Sequence, residues 1–224
     1  MRNIMAGKLI VVEGLDGSGK GTQTKKLFET LQAEGKNVRR ISFPSYGTQA
    51  ASLLESYLHG EFGNDPNAVN AYAASTFFAI DRYVSFHQGW KQFYEDGGII
   101  IADRYTTSNA IHQCAKLPQA EWDEFLDWLF KYEYQQMGIP VPDAVIYLRV
   151  DPEISQELLS GRYDGDEGKK DIHESNLGYL KSCRQAADYC TAHLNWTTVE
   201  CVQNDQLRTI EDIAAEVLEI VMSA

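Results

Sequence analysis

The chain has 224 residues and a formal net charge of −12. That length predicts one domain, 1–224, able to bury a large core unaided, and without an apolar run of about 18 residues it predicts no membrane span. The acidic balance argues against nonspecific nucleic-acid or membrane partners, so a phosphorylated ligand would need a small, local basic pocket.

The first predicted element, Leu9 to Val12, is four apolar residues in a row, the pattern of a strand buried on both faces. It runs into Glu13-Gly14-Leu15-Asp16-Gly17-Ser18-Gly19-Lys20-Gly21-Thr22. Strand, then Gly-x4-Gly-Lys, then helix is the order of a phosphate-binding P-loop. Gly14, Gly17 and Gly19 permit turns that leave backbone N–H groups pointing inward, where with Ser18 and the helix N-terminus they can cradle phosphates. Lys20 supplies a full charge. Gly21 stands where the motif places Ser or Thr to hold Mg²⁺, so that ligand is expected to be missing and Thr22 follows one place late.

A helix is predicted over 20–33, a second strand over 38–43, and a loop at Phe43-Pro44-Ser45-Tyr46. A short helix covers 50–58. Asp65-Pro66 reads as the start of one long helix reaching Glu95, with Asp65 as N-cap. The third strand, 99–103, ends in Asp103, followed by Arg104 and a helix over 108–115. In a helix over 119–136, Trp122, Phe125, Leu126 and Leu129 fall on one face. A fourth strand over 144–150, a helix over 152–159, a polar loop over 161–170, a helix over 171–192, a strand over 197–202 and a helix over 210–222 complete the chain. Strands alternating with helices predict a three-layer α/β fold of the P-loop NTPase kind, about five parallel strands with helices on both faces, and residues 161–172 as a short lid. Cys114, Cys183, Cys190 and Cys201 form no Cys-x2-Cys pair; with no secretory leader, this points away from zinc and toward a reducing cytoplasm.

In such sheets ligands bind at the carboxyl ends of the strands, which brings the P-loop, Phe43–Tyr46 and Asp103-Arg104-Tyr105 to one cleft. Asp103 can orient magnesium-bound water, and the planar, always-charged Arg104 can fork onto phosphate. Asp16, inside the P-loop, would be repelled by a triphosphate, which suggests contact with a sugar hydroxyl or metal-bound water, or a plain turn role. Phe78 and Arg82, four apart on one helix face, can stack and hydrogen-bond a base, although two adjacent phenylalanines also suit a core. Asn109 carries both donor and acceptor for a base edge. The P-loop itself has no arginine, so Arg162, with Lys169 or Lys170, is the expected lid cation for the moving phosphate.

Glu13-Gly-Leu-Asp-Gly-Ser-Gly-Lys20, Phe43-Pro-Ser-Tyr46-Gly, Phe77-Phe-Ala-Ile-Asp-Arg82, Asp103-Arg-Tyr-Thr-Thr-Ser108-Asn109 and Ile139-Pro-Val-Pro-Asp143 follow in the order and spacing of thymidylate kinases, a resemblance spanning nearly the whole chain. It implies transfer of the γ-phosphoryl of Mg-ATP to dTMP, with ATP phosphates on residues 14–22. It implies that Asp16 lies near the acceptor sugar, Tyr46 and Arg104 at the acceptor phosphate, Phe78 on the thymine face, and Arg82 and Asn109 at its edge. Phe43, Ser108, His112 and Glu174 complete the implied acceptor site, and Asp103 would organise Mg²⁺ through water. Ser45 replaces a frequent arginine, and His112 an aromatic that members often set against the deoxyribose. The resemblance also implies a homodimer. A kinase of dUMP or UMP and an inactive nucleotide-binding protein are the alternatives; a GTPase is disfavoured by the missing Asn-Lys-x-Asp.

Overall fold

The computed structural model describes residues 7–162, 171–174, 176–204 and 206–223, with the backbone alone at 159–162. The strands β1 (Lys8–Gly14), β2 (Val38–Ser42), β3 (Ile99–Asp103), β4 (Ala144–Arg149) and β5 (Thr197–Glu200) form one parallel sheet ordered β2-β3-β1-β4-β5. The strand β1, buried along all but its first residue, lies at the centre of the sheet with a parallel neighbour on each edge and helices over both faces.

Alternation along the strands splits the core in two. Ile10, Val12, Ile101, Ile146, Leu148 and Val199 face α1 (Lys20–Ala33) and the C-terminal helix Ile210–Ser223. Leu9, Val11, Ile100 and Ala102 face Phe86, Trp90 and Tyr105. On that second side, Tyr147 packs against α5 (Thr106–Cys114, the helix after β3) and against Cys183 and Ala187 of the helix Leu177–His193. Between these lie α2 (Ser52–Leu58), α3 (Ala71–Ser85), α4 (Lys91–Glu95), α6 (Trp122–Phe130) and α7 (Pro152–Arg162); the two C-terminal helices are α8 and α9.

Several boundaries depart from the sequence reading. Asp65 does cap a helix, accepting from Asn67 N at 2.7 Å, but only a single 3₁₀ turn over Pro66–Ala68. Val69 is extended, and Asn70 caps α3 by accepting from Ala73 N at 2.9 Å. Two local caps in six residues give the backbone a better-bonded alternative to one continuous helix. The helix expected from 171 starts at Leu177 for the same reason: Asp171 Oδ1 takes the N–H groups of His173 and Glu174, and Asn176 then caps the helix proper. Arg162 closes α7 rather than opening a loop. The last sheet strand stops at Glu200, and a small antiparallel hairpin, β6 (Val202–Gln203) and β7 (Gln206–Leu207), follows unannounced.

Two helices widen into π turns. One, over Phe86–Trp90, joins α3 to α4; the other, over Lys131–Gln136, extends α6. Such turns recur beside functional sites.

Candidate active site

The loops after β1, β2 and β3 are stitched together at the carboxyl edge of the sheet. Phe43 N donates to Asp103 O at 3.0 Å and Arg104 N to Val12 O at 3.2 Å. Above them opens a cavity of about 1310 Å³. Asp16, Gly17, Ser18, Gly19, Lys20, Gly21 and Thr22 form its floor. Phe43, Tyr46, Phe78, Arg82, Asp103, Arg104, Ser108, Asn109, His112 and Glu174 complete its walls. Of the residues singled out from sequence, Gly14 lies behind this lining, and the side chains of Arg162, Lys169 and Lys170 lie outside the described residues.

Each P-loop feature has a local cause. Gly19, at φ 86°, is the N-cap of α1 and has nothing within 4 Å of where a Cβ would sit, so its role is conformational. Gly14 is steric: a Cβ there would meet Leu148 O at 2.8 Å. Ser18 Oγ is buried with no hydrogen-bond partner among the described residues. Lys20 spends one N–H on Leu15 O at 2.8 Å, inside its own loop. Burial, with help from the Arg104 charge, brings its pKa down to about 8, while Asp16, Asp103 and Glu13 hold it up. An orphaned hydroxyl, open backbone N–H groups at a helix start and a cramped ammonium together fit a polyphosphate.

Metal chemistry is sparser. Among the described residues no three His, Cys, Asp or Glu side chains converge as a cage. Asp103 stands across from Gly21, whose absent Cβ would lie 3.4 Å from Asp103 Oδ2. That leaves a hard carboxylate oxygen and room for water, which suits a Mg²⁺ held mainly by phosphate and water.

Arg104 is the hub. It occupies the left-handed region at φ 68°, rare for a side-chain-bearing residue and worth about 1 kcal/mol or more of strain. The conformation turns its guanidinium over the P-loop. Nη2 pairs with Asp16 Oδ1, and Nη1 donates to Ser108 Oγ at 3.2 Å and to His112 Nε2 at 3.3 Å. Burial opposes ionisation of Asp16, but the Arg104 charge, with Lys20, wins and holds its carboxyl well below the usual range. Because Arg104 can only donate, His112 accepts at Nε2 and carries its proton on Nδ1, 3.5 Å from Cys183 Sγ. Burial, then the Arg104 charge, pushes the His112 pKa down to about 3. A second buried imidazole, His173, stacks on it at 5.5 Å and 10° and lies 2.7 Å from Tyr57 Oη.

At the far end, Arg82 and Asn109 are both buried, α3 and α5 bringing them side by side. Phe78 sets its ring edge-on to Tyr57 at 6.2 Å while still lining the cavity, so it serves core and cavity at once. Tyr46 is largely exposed on the opposite lip.

Four residues here carried no role in the sequence reading. Glu133, fully buried, binds Arg82 bidentately. It sits four residues after Leu129, continuing the apolar stripe of α6; a carboxylate in a core position was the legible signal. Glu13 accepts from Tyr105 N, Thr107 Oγ1 and Ser108 Oγ, tying the P-loop to the N-terminus of α5. Asp81 accepts from Ser45 N at 2.8 Å and anchors the Phe43–Tyr46 loop. Gln113 is buried on the cavity wall with neither amide atom partnered among the described residues, and only the folded structure could reveal that.

Known proteins share much of this sequence and its fold. The thymidylate kinase family model matches residues 12–213. The thymidylate kinase of Mycobacterium tuberculosis is 37% identical over 164 residues, covering 72% of this chain and 74% of that one. That of Danio rerio is 25% identical over 217 residues, covering 96% of this chain and 89% of its own. A solved thymidylate kinase structure from Candida albicans aligns with TM-score 0.71 at 23% identity, covering 97% of this chain and 92% of that one, a likeness of fold. A P-loop facing an arginine-lined cleft, on a chain matched by this family over most of its length, leads to one assignment: the chain belongs to the thymidylate kinase family and is a nucleoside-monophosphate kinase acting on dTMP.

Proposed function

We propose that Mg-ATP is the phosphoryl donor, with its phosphates on the P-loop from Gly14 to Thr22, and that dTMP occupies the arm of the cavity between Tyr46 and Asn109. The single observation that supports this most is the placement of Arg104. One guanidinium faces both the P-loop carboxylate Asp16 and the α5 wall, where a phosphate between donor and acceptor arms would lie.

Phe43, Phe78 and His112 bound the nucleoside, Arg82 and Asn109 meet the base edge, and Tyr46, Ser108 and Glu174 stand around the sugar and phosphate. Lys20 and the loop N–H groups hold the donor in line; this positioning and charge stabilisation is most of what phosphoryl transfer requires of a protein. Asp103 would hold Mg²⁺ through water, and the ion would supply charge neutralisation to the donor phosphates. Arg162 is the proposed lid cation, acting when 161–172 close over the cavity and exclude water.

We also place the protein in the cytoplasm as a homodimer, with dealings neither with nucleic acid nor with membranes. No described helix is long and apolar enough to cross a membrane. Tyr72, Ile80 and Tyr83 form an exposed stripe along α3, which supports pairing with a second copy.

A coupled ADP-release assay with Mg-ATP and dTMP, dUMP, UMP, dCMP, AMP and GMP tests the reading. Strong turnover with dTMP and little with purines is expected. Equal turnover with UMP would show that His112 does not exclude the ribose hydroxyl.

A further inference from the structure

We propose that Glu133 is a positioning residue that selects the pyrimidine, by dictating which end of the Asn109 amide faces the acceptor base. This rests on the dTMP-acceptor reading above. Four donors converge on the buried carboxylate. Arg82 Nε at 2.7 Å and Thr106 Oγ1 at 2.8 Å reach Oε2, while Arg82 Nη2 at 2.6 Å and Asn109 Nδ2 at 3.3 Å reach Oε1. An ionised carboxylate has about four acceptor sites and no donor, so Glu133 is filled.

Asn109 inherits the constraint. Its Nδ2 gives one hydrogen to Glu133 and the other to Ser75 O at 3.1 Å. Both partners only accept. Turning the amide over would set Oδ1 against a carboxylate and a carbonyl oxygen at once. Oδ1, an acceptor, is therefore what Asn109 offers the cavity it lines. Beside it, Arg82 uses Nε, Nη2 and, to Tyr105 O at 3.3 Å, Nη1. The N–H groups it has left are donors by necessity.

An acceptor next to a donor complements a ring N–H next to a carbonyl, which is the N3–H and O4 edge shared by thymine and uracil. Cytosine presents the reverse, a bare N3 beside an amino group. It would put acceptor against acceptor and donor against donor in a dry wall, the setting in which a site rejects a near-isostere most strongly. The geometry thus assigns discrimination against cytosine to a residue that never touches the base.

The test compares dTMP and dCMP as acceptors for the full chain and its Glu133→Gln variant, with Mg-ATP saturating. The unaltered protein is expected to favour dTMP by about a thousandfold in kcat/KM. Glutamine puts an NH₂ group on one of the four sites and frees Asn109 from its single orientation. The dCMP:dTMP ratio should then rise roughly tenfold or more while the KM for ATP stays within about twofold. A merely structural role would depress both acceptors in proportion; an unchanged ratio overturns the proposal. Should the variant not fold, binding of N3-methyl-dTMP to the unaltered protein decides, because the methyl replaces the hydrogen that Oδ1 accepts. Affinity equal to that for dTMP overturns the proposal, and a loss of roughly fiftyfold supports it. If the unaltered protein turns over neither acceptor, the dTMP reading itself fails. A strong dTMP preference kept unchanged by Glu133→Gln removes only the role of Glu133.

Discussion

At Arg104, three demands meet in one residue: a left-handed backbone, a largely enclosed charge and two neighbouring P-loop groups. Removing the side chain leaves Asp16 beside Lys20 alone. Arg104→Ala is expected to cut kcat/KM for dTMP by about a hundredfold or more, with nucleotide affinity at the P-loop changed less than about threefold. Titration of both substrates separately checks this, and parallel losses would remove the acceptor role. His112 gives a prediction in pH. Its folded pKa of about 3 lies below the ordinary 6.5, so below 6.5 the unfolded chain takes up a proton that the folded chain refuses. Its contribution to stability is complete above pH 6.5 and is lost as pH falls toward 3. Asp171, raised to about 7 by burial and by Asp16, works the other way over the same window, so the His112 effect must be isolated by difference. Between pH 6 and 5 the unaltered protein should lose about 1 kcal/mol more stability than His112→Phe, measured by urea unfolding at each pH. Equal slopes would show that His112 is not held neutral.

At the level of elements, the site depends on where helices begin. α3 carries Phe78, Arg82 and Asp81, and its start is set by Asn70 rather than by the more conspicuous Asp65-Pro66. Asn70→Ala should lower stability by about 1 kcal/mol, whereas Asp65→Ala should cost less, because it caps only one turn. Chemical denaturation of both variants compares them; the reverse ranking would mean that the long-helix reading described the folding energetics better. α5 begins at Thr106 with the Glu13 carboxylate against its first turn, and so turns Ser108, Asn109 and His112 toward the cavity. The spacing of these residues was visible in the sequence. The clamp was not, because Glu13 lies 92 residues or more from the groups it binds.

For the whole molecule, a net charge of −12 surrounds a cavity whose lining holds Lys20 and Arg104. Its two arginines nearest the site are each held in place by a carboxylate: Asp16 for Arg104, Glu133 for Arg82. The exposed stripe of Tyr72, Ile80 and Tyr83 belongs to the same scale. Ile80→Asp should convert a dimer in sedimentation velocity to a monomer, by burying a charge in each of two copies. A sedimentation profile unchanged by the substitution would place any subunit contact elsewhere.

The sequence by itself determined the parallel α/β plan, the P-loop and the identity of about half of the cavity-lining residues. Those signals are local: an apolar run, a glycine spacing, a short motif at a strand end. It also pointed to Phe78, Arg82 and Asn109 as base-reading groups by their chemistry, and resemblance put them in one acceptor site. Only the tertiary structure decided what holds them. The four donors on Glu133, the clamp by Glu13, the anchoring of the Phe43–Tyr46 loop by Asp81 and the stacked imidazoles of His112 and His173 all join residues from different elements. Hydrogen-bond partners across such separations are set by how layers pack, and packing leaves no periodic trace in the chain. The helix starts at Asn70 and Asn176 were missed for a different reason. Several capping residues stood close together in each stretch, and which of them capped the long helix depended on the fold around it.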